Sequence, residues 1–192
     1  ADFNAPNMLH AAVLRSPHAH ARIIKIDTSK AEALSGVKAF VTRADFPTGL
    51  KGEDFYLQEN TIAGDRTLYD GHAVAAVAAT SALAAKDAIK LIEVEYEILP
   101  HVTDVDEAMQ PDAPVIREGA QDHSVPDGLP PNIVSYMDFG HGDLEAGFSE
   151  ADLVMENTYK TEAAHQGYIE PHACVGQLGQ DGKGDMWICT QG

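Results

Sequence analysis

MLHAAVLRSPHAHARIIKI, residues 8–26, is the stretch of sequence that decides the fold of this chain. Its first half, residues 8–15, is mostly apolar and predicts a β-strand that ends before Pro17. Its second half, residues 21–26, alternates between apolar and polar residues well enough to predict another strand. Because few residues separate the two halves, the segment predicts two strands with a compact connection.

The following residues extend this start into a unit of strands and helices. Asp27-Thr28-Ser29 offers an N-cap for a short helix, and Gly36 offers its end. The further elements predicted for the first hundred residues are a strand over 37–42, a long loop over 43–68 with at most one short strand, a buried strand over 72–79, a helix over 82–92 capped by Thr80 or Ser81, and a strand over 94–99. This mixture predicts an α+β fold.

The composition changes after residue 110. Residues 111–131 contain five prolines, two glycines and four acidic residues, which is typical of a linker or of an extended strap. The elements predicted beyond it are strands over 132–139 and 151–161, a helical turn over 143–149, and a hairpin whose strands cover 169–177 and 186–190. About 60 residues of this kind rarely close a core alone, so they indicate the opening of a larger domain.

The net charge of −17 argues against two classes of function. The 192 residues include 13 Lys and Arg against 30 Asp and Glu, and a field of that sign repels phosphate and anionic lipid. We therefore expect no nucleic-acid partner and no membrane partner. The acidity is uneven, since residues 1–100 carry ten basic and thirteen acidic side chains, whereas residues 101–192 carry three and seventeen. The shift indicates two regions with different surroundings.

The two cysteines predict the cellular setting. Cys174 and Cys189 are too few for a disulfide framework, so a reduced, cytoplasmic location is the expectation. Both lie in predicted strands among apolar neighbours, and we interpret them as small core residues. The longest stretch without a charged residue near the middle of the chain, residues 71–85, is too short and too rich in alanine to span a membrane.

Three groups of polar residues have both a functional and a structural interpretation. His18 and His20 could hold a metal, but no cysteine or carboxylate follows at a ligand spacing, which favours hydrogen-bonded structural histidines. The segment 140–143, GHGD, lacks the ending of a phosphate-binding loop and predicts a turn that leads into an N-cap aspartate. His165 and Glu170 could act as acid and base, but no nucleophile accompanies them. The residues alone therefore give no complete catalytic set.

Three strings of residues, in order along nearly the whole chain, resemble a known family. They are MLHA, RSPHAHARI and IDTSKA within residues 8–31; YDGHAVA with VEYE and LP within 69–100; and GD, AD, YIEP and TQ within 142–191. On these strings the chain resembles the large, molybdenum-binding subunit of the xanthine dehydrogenase and aldehyde oxidase superfamily. RSPHAHARI is the most specific of them.

The resemblance implies a domain organisation. Residues 1–110 would form the α/β-hammerhead domain that opens such subunits. Residues 111–131 would be the strap, and residues 132–192 the incomplete start of the first molybdopterin-binding domain. The expected fold class is thus an α+β hammerhead domain followed by the beginning of a molybdopterin-binding domain.

The resemblance also implies an oxidoreductase. The family hydroxylates an electron-poor carbon of a small-molecule substrate with oxygen derived from water, using a molybdenum–molybdopterin cofactor. The electrons leave through 2Fe-2S centres, commonly to FAD, and we expect both groups on partner chains or on other segments. The partners implied are the remainder of the large subunit and the iron–sulfur and FAD subunits or domains.

One residue of the family's site falls within this chain. Gln191 matches the family's Thr-Gln motif, whose amide side chain approaches the molybdenum, and the alternative for Gln191 is a polar residue at a strand end. The glycine-rich Gly-Gly-Phe-Gly stretch and the distal glutamate base of the family have no counterpart here, so the catalytic set is incomplete and the isolated chain is expected to be inactive. The alternatives are a non-catalytic hammerhead scaffold, or one part of a split large subunit that acts in assembly.

Overall fold

The computed structural model describes residues 3–190, and they divide into two compact units. One unit is Asn7–Asp138, and the other combines the residues from Phe139 onward with those before Asn7. The longest helix of the described chain has ten residues, and none there is long and apolar enough to cross a bilayer. The observed mixture of helices and antiparallel strands confirms the α+β prediction.

The first unit contains two three-stranded sheets. The first sheet has the order β1-β5-β3 and the second the order β4-β2-β6, with every pairing antiparallel. The strands are β1 (His10–Arg15), β2 (Ala21–Asp27), β3 (Val37–Val41), β4 (Arg66–Thr67), β5 (Ala73–Ala79) and β6 (Glu93–Ile98). The helices are α1 (Ser29–Glu32), a 3-10 turn (Arg43–Asp45), α2 (Gly52–Thr61), α3 (Ala82–Lys90) and α4 (Val105–Ala108). The structure confirms the strands predicted over 8–15, 21–26, 37–42, 72–79 and 94–99 and the helix predicted over 82–92.

The core of the first unit is built around β5 and α3. β5 consists only of alanine and valine, and these small side chains let α3 pack closely on the sheet. The buried cluster is Ala31, Ala75, Val77, Ala88 and Ile92. Ser81 caps α3 by accepting a hydrogen bond from the amide of Ala84 at 3.1 Å.

Gly36 is required where the chain passes from α1 to β3. Its φ of +93° lies in the region that favours glycine, and a Cβ there would lie 2.8 Å from the Oγ1 atom of Thr80. The helix ends earlier than predicted, at Glu32, and Gly36 instead marks a close approach between two segments.

The second sheet exposes a ladder of opposite charges. Arg22 of β2 lies directly opposite Glu97 of β6, and their side chains form an ion pair with an Nε–Oε2 distance of 3.2 Å. Lys30 pairs with Glu93 at the other end of β6. Both pairs are more than half exposed, so each adds little to stability.

The decisive segment is tied to the residues before β5 through backbone hydrogen bonds. Ser16 lies directly after β1, and its amide donates to the carbonyl of His72 at 2.9 Å. In return the amide of Gly71 donates to the carbonyl of Ser16 at 2.9 Å. The Nη1 atom of Arg15 donates to the carbonyl of Gly71 at 2.8 Å. Hydrogen bonds therefore link the RSPHAHARI string to the YDGHAVA string.

His72 is fully buried and satisfies two backbone groups with its ring. Its Nδ1 atom accepts the amide of Leu68 at 3.2 Å, and its Nε2 atom donates to the carbonyl of Glu59 at 2.8 Å. Burial lowers the pKa of His72 below its usual value. The ring is therefore neutral in the folded chain, with the proton on Nε2, and it stacks on Tyr69 at a centroid distance of 4.4 Å.

The expectation of a long loop over residues 43–68 is wrong, because α2 occupies its middle. The helix buries one side chain, Gln58, while Phe55, Tyr56 and Leu57 are exposed. Since no continuous apolar face runs along it, hydrophobic periodicity gave no signal. Local bonds hold it, including Gln58 Nε2 to the carbonyl of Pro47 at 2.9 Å.

The strap over residues 111–131 has no regular elements, as predicted, but side chains fasten it. The side-chain Nδ2 atom of Asn132 donates to the carbonyls of Ala108 at 3.1 Å and Pro114 at 3.0 Å. Arg117 forms an ion pair with Glu59 at 2.6 Å, and its guanidinium lies 4.6 Å from the ring centroid of Tyr56. Both charged side chains are more than three-quarters buried, so this pair is shielded from solvent.

The second unit has few regular elements. They are α5 (Leu144–Glu150) and a hairpin of β7 (Cys174–Leu178) and β8 (Gly184–Ile188). The predicted helical turn and hairpin are confirmed. The strands predicted over 132–139 and 151–161 are wrong, because no other strand of the described chain pairs with either segment.

We expect His72→Leu to lower the free energy of unfolding by about 2–4 kcal/mol, because it leaves a buried amide and a buried carbonyl unpaired. In the unaltered chain, stability should fall as the pH drops below about 6.5, because only the unfolded His72 gains a proton there. Urea titrations followed by circular dichroism at several pH values measure both effects. The exposed His123→Leu is the control, and an unchanged pH slope in His72→Leu would contradict the assignment.

We expect Arg117→Ala to loosen the strap, because it removes both the ion pair with Glu59 and the contact with Tyr56, together about 1 kcal/mol. A glutamyl- and aspartyl-specific protease should then cut residues 111–131 faster than in the unaltered chain. Lys38→Ala is the control. Equal cleavage rates for both variants would show that Arg117 does not hold the strap.

Candidate functional site

The second unit contains a hairpin that ends shortly before the last family-motif residues of the sequence. β7 and β8 pair from Cys174 opposite Ile188 to Leu178 opposite Gly184. The turn between them closes through the amide of Gly179, which donates to the carbonyl of Lys183 at 2.7 Å. Past the last ladder pair, the amide of Cys189 donates to the carbonyl of Ala173 at 3.0 Å. The hairpin thus stays paired up to the residue before Thr190.

A row of three aromatic rings precedes the hairpin. Tyr168 stacks on His172 with a centroid distance of 4.6 Å and an interplanar angle of 8°. The ring of His165 also contacts Tyr168, with a distance of 5.0 Å between the two ring centroids. The Nδ1 atom of His165 also accepts the amide of Gly167 at 3.0 Å. The stacked rings hold a bend at Ile169 and Glu170.

The thiol of Cys189, just past the end of β8, has a pKa above its usual value. This pKa is raised first by hydrogen bonding to the carboxylate of Glu170 and then by burial. The thiol is therefore protonated at neutral pH and can donate to the carboxylate. Residues 19 positions apart are joined in this way at the end of β8.

Gln191, the predicted cofactor contact, lies outside the described residues. It follows Cys189 by two positions, so the contact with Glu170 lies immediately before it in the chain. The possible acid–base pair of His165 and Glu170 is not formed among residues 3–190, since the ring of His165 contacts Tyr168 and Gly167.

The structural interpretation of His18 and His20 is supported. The ring of His20 is buried, and its Nδ1 atom lies 2.9 Å from the carbonyl oxygen of Pro100. His18 meets the ring of Tyr96 edge to face at a centroid distance of 5.0 Å. Among residues 3–190 no group of three His, Cys, Asp or Glu side chains is placed to hold a metal ion.

The interpretation of the cysteines as core residues is wrong. Cys174 is exposed and Cys189 is only partly buried, and both thiols are free. The prediction of a strand is correct at Cys174, whereas Cys189 lies just past the end of β8, and within the described chain no layer covers this hairpin.

The segment 140–143 is a turn that leads into a helix cap, as predicted. Asp143 accepts the amide of Ala146 at 3.0 Å and begins α5. The seven residues of α5 are too few for a phosphate-binding helix of the P-loop type.

Sequence reasoning missed the pairing of Glu170 with Cys189. The predicted hairpin could have placed residue 189 opposite residue 173 through its register. That register brings the residues just before β7 close to the end of β8.

Two family models match the chain in order. The aldehyde oxidase and xanthine dehydrogenase a/b hammerhead domain matches residues 1–100. The molybdopterin cofactor-binding domain matches residues 125–192. The first of these alone covers more than half of the chain.

Curated relatives match nearly the whole chain. A probable xanthine dehydrogenase subunit of Bacillus subtilis is 36% identical over 191 residues, which are 99% of this chain and 24% of that protein. The nicotinate dehydrogenase large molybdopterin subunit of Eubacterium barkeri is 31% identical over 191 residues, which are 100% of this chain and 42% of that protein. The chain thus spans from about a quarter to less than half the length of these two relatives.

Solved structures share the fold. The crystal structure of the Cu,Mo-CO dehydrogenase in its carbon monoxide reduced state superposes with a TM-score of 0.79 and 32% identity, covering 97% of this chain and 24% of that chain. The part of the chain that matches this structure includes residues of both units. With the matched hammerhead model, these findings show that the chain belongs to the aldehyde oxidase and xanthine dehydrogenase family, with a hammerhead domain followed by the start of a molybdopterin-binding domain.

Proposed function

We propose that residues 1–192 are the N-terminal part of the large subunit of a molybdenum-cofactor-dependent hydroxylase or dehydrogenase of the xanthine dehydrogenase and aldehyde oxidase type. The complete enzyme oxidises a carbon atom of a small-molecule substrate with oxygen derived from water. The molybdenum cofactor supplies this oxidation chemistry when bound, while the protein orients the substrate and tunes charge. These 192 residues are not catalytic alone.

One observation carries the proposal. The hammerhead model and the molybdopterin-binding model match consecutive parts of the chain, in the order in which the sequence motifs occur. In the domain division that we propose, residues 1–110 form the hammerhead domain, 111–131 the strap, and 132–192 the beginning of the first molybdopterin-binding domain.

The described part of the second unit does not fit an enclosed molybdopterin on its own. β8 is exposed along its whole length, and so are most residues from Phe139 to Thr190. An enclosed cofactor needs a concave, largely preformed site. We therefore assign no step of the reaction to these residues, and we propose that Gln191 contacts the cofactor only when the rest of the site is assembled.

A second arrangement is favoured by the length of one relative. The chain covers 42% of the nicotinate dehydrogenase large molybdopterin subunit but 24% of the Bacillus subtilis relative, so these two relatives differ in length. The alternative is therefore one part of a split large subunit. A scaffold that acts only in assembly has no comparable support.

The proposal includes electron-transfer partners and a location. We place the 2Fe-2S centres and FAD on partner chains or other segments, because the relatives are described as a subunit, a large subunit and a large chain. A reduced cytoplasm is the proposed location, in agreement with two free thiols.

We expect the purified 192-residue chain to carry no stoichiometric molybdenum, because the described part of its second unit leaves a cofactor unenclosed. Elemental analysis by mass spectrometry, combined with fluorescence detection of oxidised pterin, measures this. The complete large subunit, purified with its partner chains, is the positive control. Stoichiometric molybdenum with bound pterin on the short chain would contradict the proposal.

We expect Gln191→Ala in the complete enzyme to lower kcat by about tenfold to a hundredfold, because the loss of one well-placed hydrogen-bond donor costs this much or more. Fold and subunit assembly should persist. Gln180→Ala, an exposed glutamine in the hairpin turn, is the matched control. Kinetics that equal those of the control would remove Gln191 from the site.

A further inference from the structure

We propose that the first unit contains a binding site for a small amino-acid zwitterion, whose carboxylate is bound by Arg43 and whose ammonium group is bound by Gln58. The site is a cavity of about 370 Å³ between the 3-10 turn, α2 and the residues that lead into β4. Small-molecule sites usually have volumes from about 300 to about 1,000 Å³. The lining includes Arg43, Phe55, Gln58, Glu59 and Asp65, and we name it the Arg43 cavity.

Gln58 provides a buried hydrogen-bond acceptor that the protein leaves unused. Its side chain is only 6% exposed, and its Nε2 atom donates to the carbonyl of Pro47 at 2.9 Å, which fixes the orientation of the amide. Its Oε1 atom has no hydrogen-bond partner among residues 3–190. Because a buried acceptor without a partner is unfavourable, a ligand that brings an N–H donor gains more here than at an exposed amide.

Arg43 provides a positive charge that no carboxylate of the described chain neutralises. Its guanidinium forms no ion pair with residues 3–190, and its Nη1 atom makes only a long hydrogen bond, 3.4 Å, to the carbonyl of Pro47. Glu59, which also lines the cavity, is already paired with Arg117 at 2.6 Å. Since a guanidinium binds carboxylates through two parallel hydrogen bonds, Arg43 is available for the carboxylate of a ligand.

Two further side chains fit the rest of an amino acid. Asp65 is 77% exposed, and its Oδ2 atom lies 3.5 Å from the Nη2 atom of Arg66, which leaves acceptor positions for an ammonium group. The amide of Ile23 fixes the backbone of Asp65 by donating to its carbonyl at 2.8 Å. Phe55 lies three residues before Gln58 on α2 and is 43% exposed, so its ring offers a surface for an aliphatic side chain.

The lining favours a zwitterion over a ligand with one charge. An anion without an N–H donor would leave the Oε1 atom of Gln58 unpaired and would lie near the carboxylate of Asp65. A cation without a carboxylate would lie near Arg43 and would leave its charge unpaired. Unpaired and opposing groups of this kind discriminate against the wrong ligand.

The experiment is equilibrium dialysis of radiolabelled L-leucine against the complete large subunit, purified with its partner chains. Leucine should saturate at one molecule per large subunit. Isoamylamine lacks the carboxylate and isocaproate lacks the ammonium group, so each should compete at least tenfold more weakly than unlabelled leucine. The measurement needs neither turnover nor the cofactor, so its outcome is independent of the proposed function. The absence of saturable leucine binding would overturn the inference, as would equal competition by all three compounds.

One pair of variants tests the charge. Arg43→Gln should weaken leucine binding at least tenfold, because the carboxylate loses its charged partner. Lys38→Gln, which removes the charge of an exposed lysine of β3, is the matched control and should bind leucine as the unaltered protein does. Equal leucine affinities in Arg43→Gln and Lys38→Gln would overturn the inference.

A second pair of variants tests the cavity itself. Gly64 lines the cavity, a Cβ added to it would meet no atom within 4 Å, and its φ lies outside the region that favours glycine. Gly64→Leu should therefore fold normally, as circular dichroism can verify, and should abolish leucine binding by filling the space. Gly140→Leu, at another glycine where a Cβ would be free, is the matched control. Undiminished leucine binding in a folded Gly64→Leu variant would show that leucine does not occupy the Arg43 cavity.

Discussion

The reciprocal backbone hydrogen bonds between Ser16 and the pair Gly71-His72 are the constraint on which the first unit depends. Ser16 lies where the chain leaves β1 for β2, and these two strands belong to different sheets. His72 lies directly before β5, the central strand of the first sheet. Two hydrogen bonds therefore extend the pairing of β1 with β5 to the point where the chain leaves the first sheet for the second. Because Ser16 and His72 are buried, breaking these bonds would leave their polar groups without water or protein partners.

The two buried histidines, His20 and His72, also have structural roles. His20 lies beside the carbonyl of Pro100, and His72 connects the amide of Leu68 with the carbonyl of Glu59. A buried imidazole with its proton on one nitrogen can join a donor and an acceptor that lie far apart in sequence. A motif that is specific to a family can thus identify the family without contributing to its chemistry.

Elements that carry their own signals could be predicted from sequence, and those that depend on distant partners could not. β5 is a run of small apolar residues, and α3 has a cap and helical periodicity, so both were predicted. α2 was missed because it presents three exposed large side chains and no apolar face. The strand predicted over 151–161 has an apolar pattern, but a strand exists only where another strand satisfies its backbone groups.

The candidate site was also predictable only in part, because its contacts depend on residues that are distant in sequence. Gln191 could be identified only through the family resemblance, because a glutamine at a strand end has no chemical signature of its own. The partner of its neighbour Cys189 could follow only from the register of β7 and β8, which places residue 189 opposite residue 173. That register leaves the residues just before β7 within reach of the end of β8. The register of β7 and β8 therefore decides which residues lie beside the end of β8, and the sequence indicates that register only through the turn that joins the two strands.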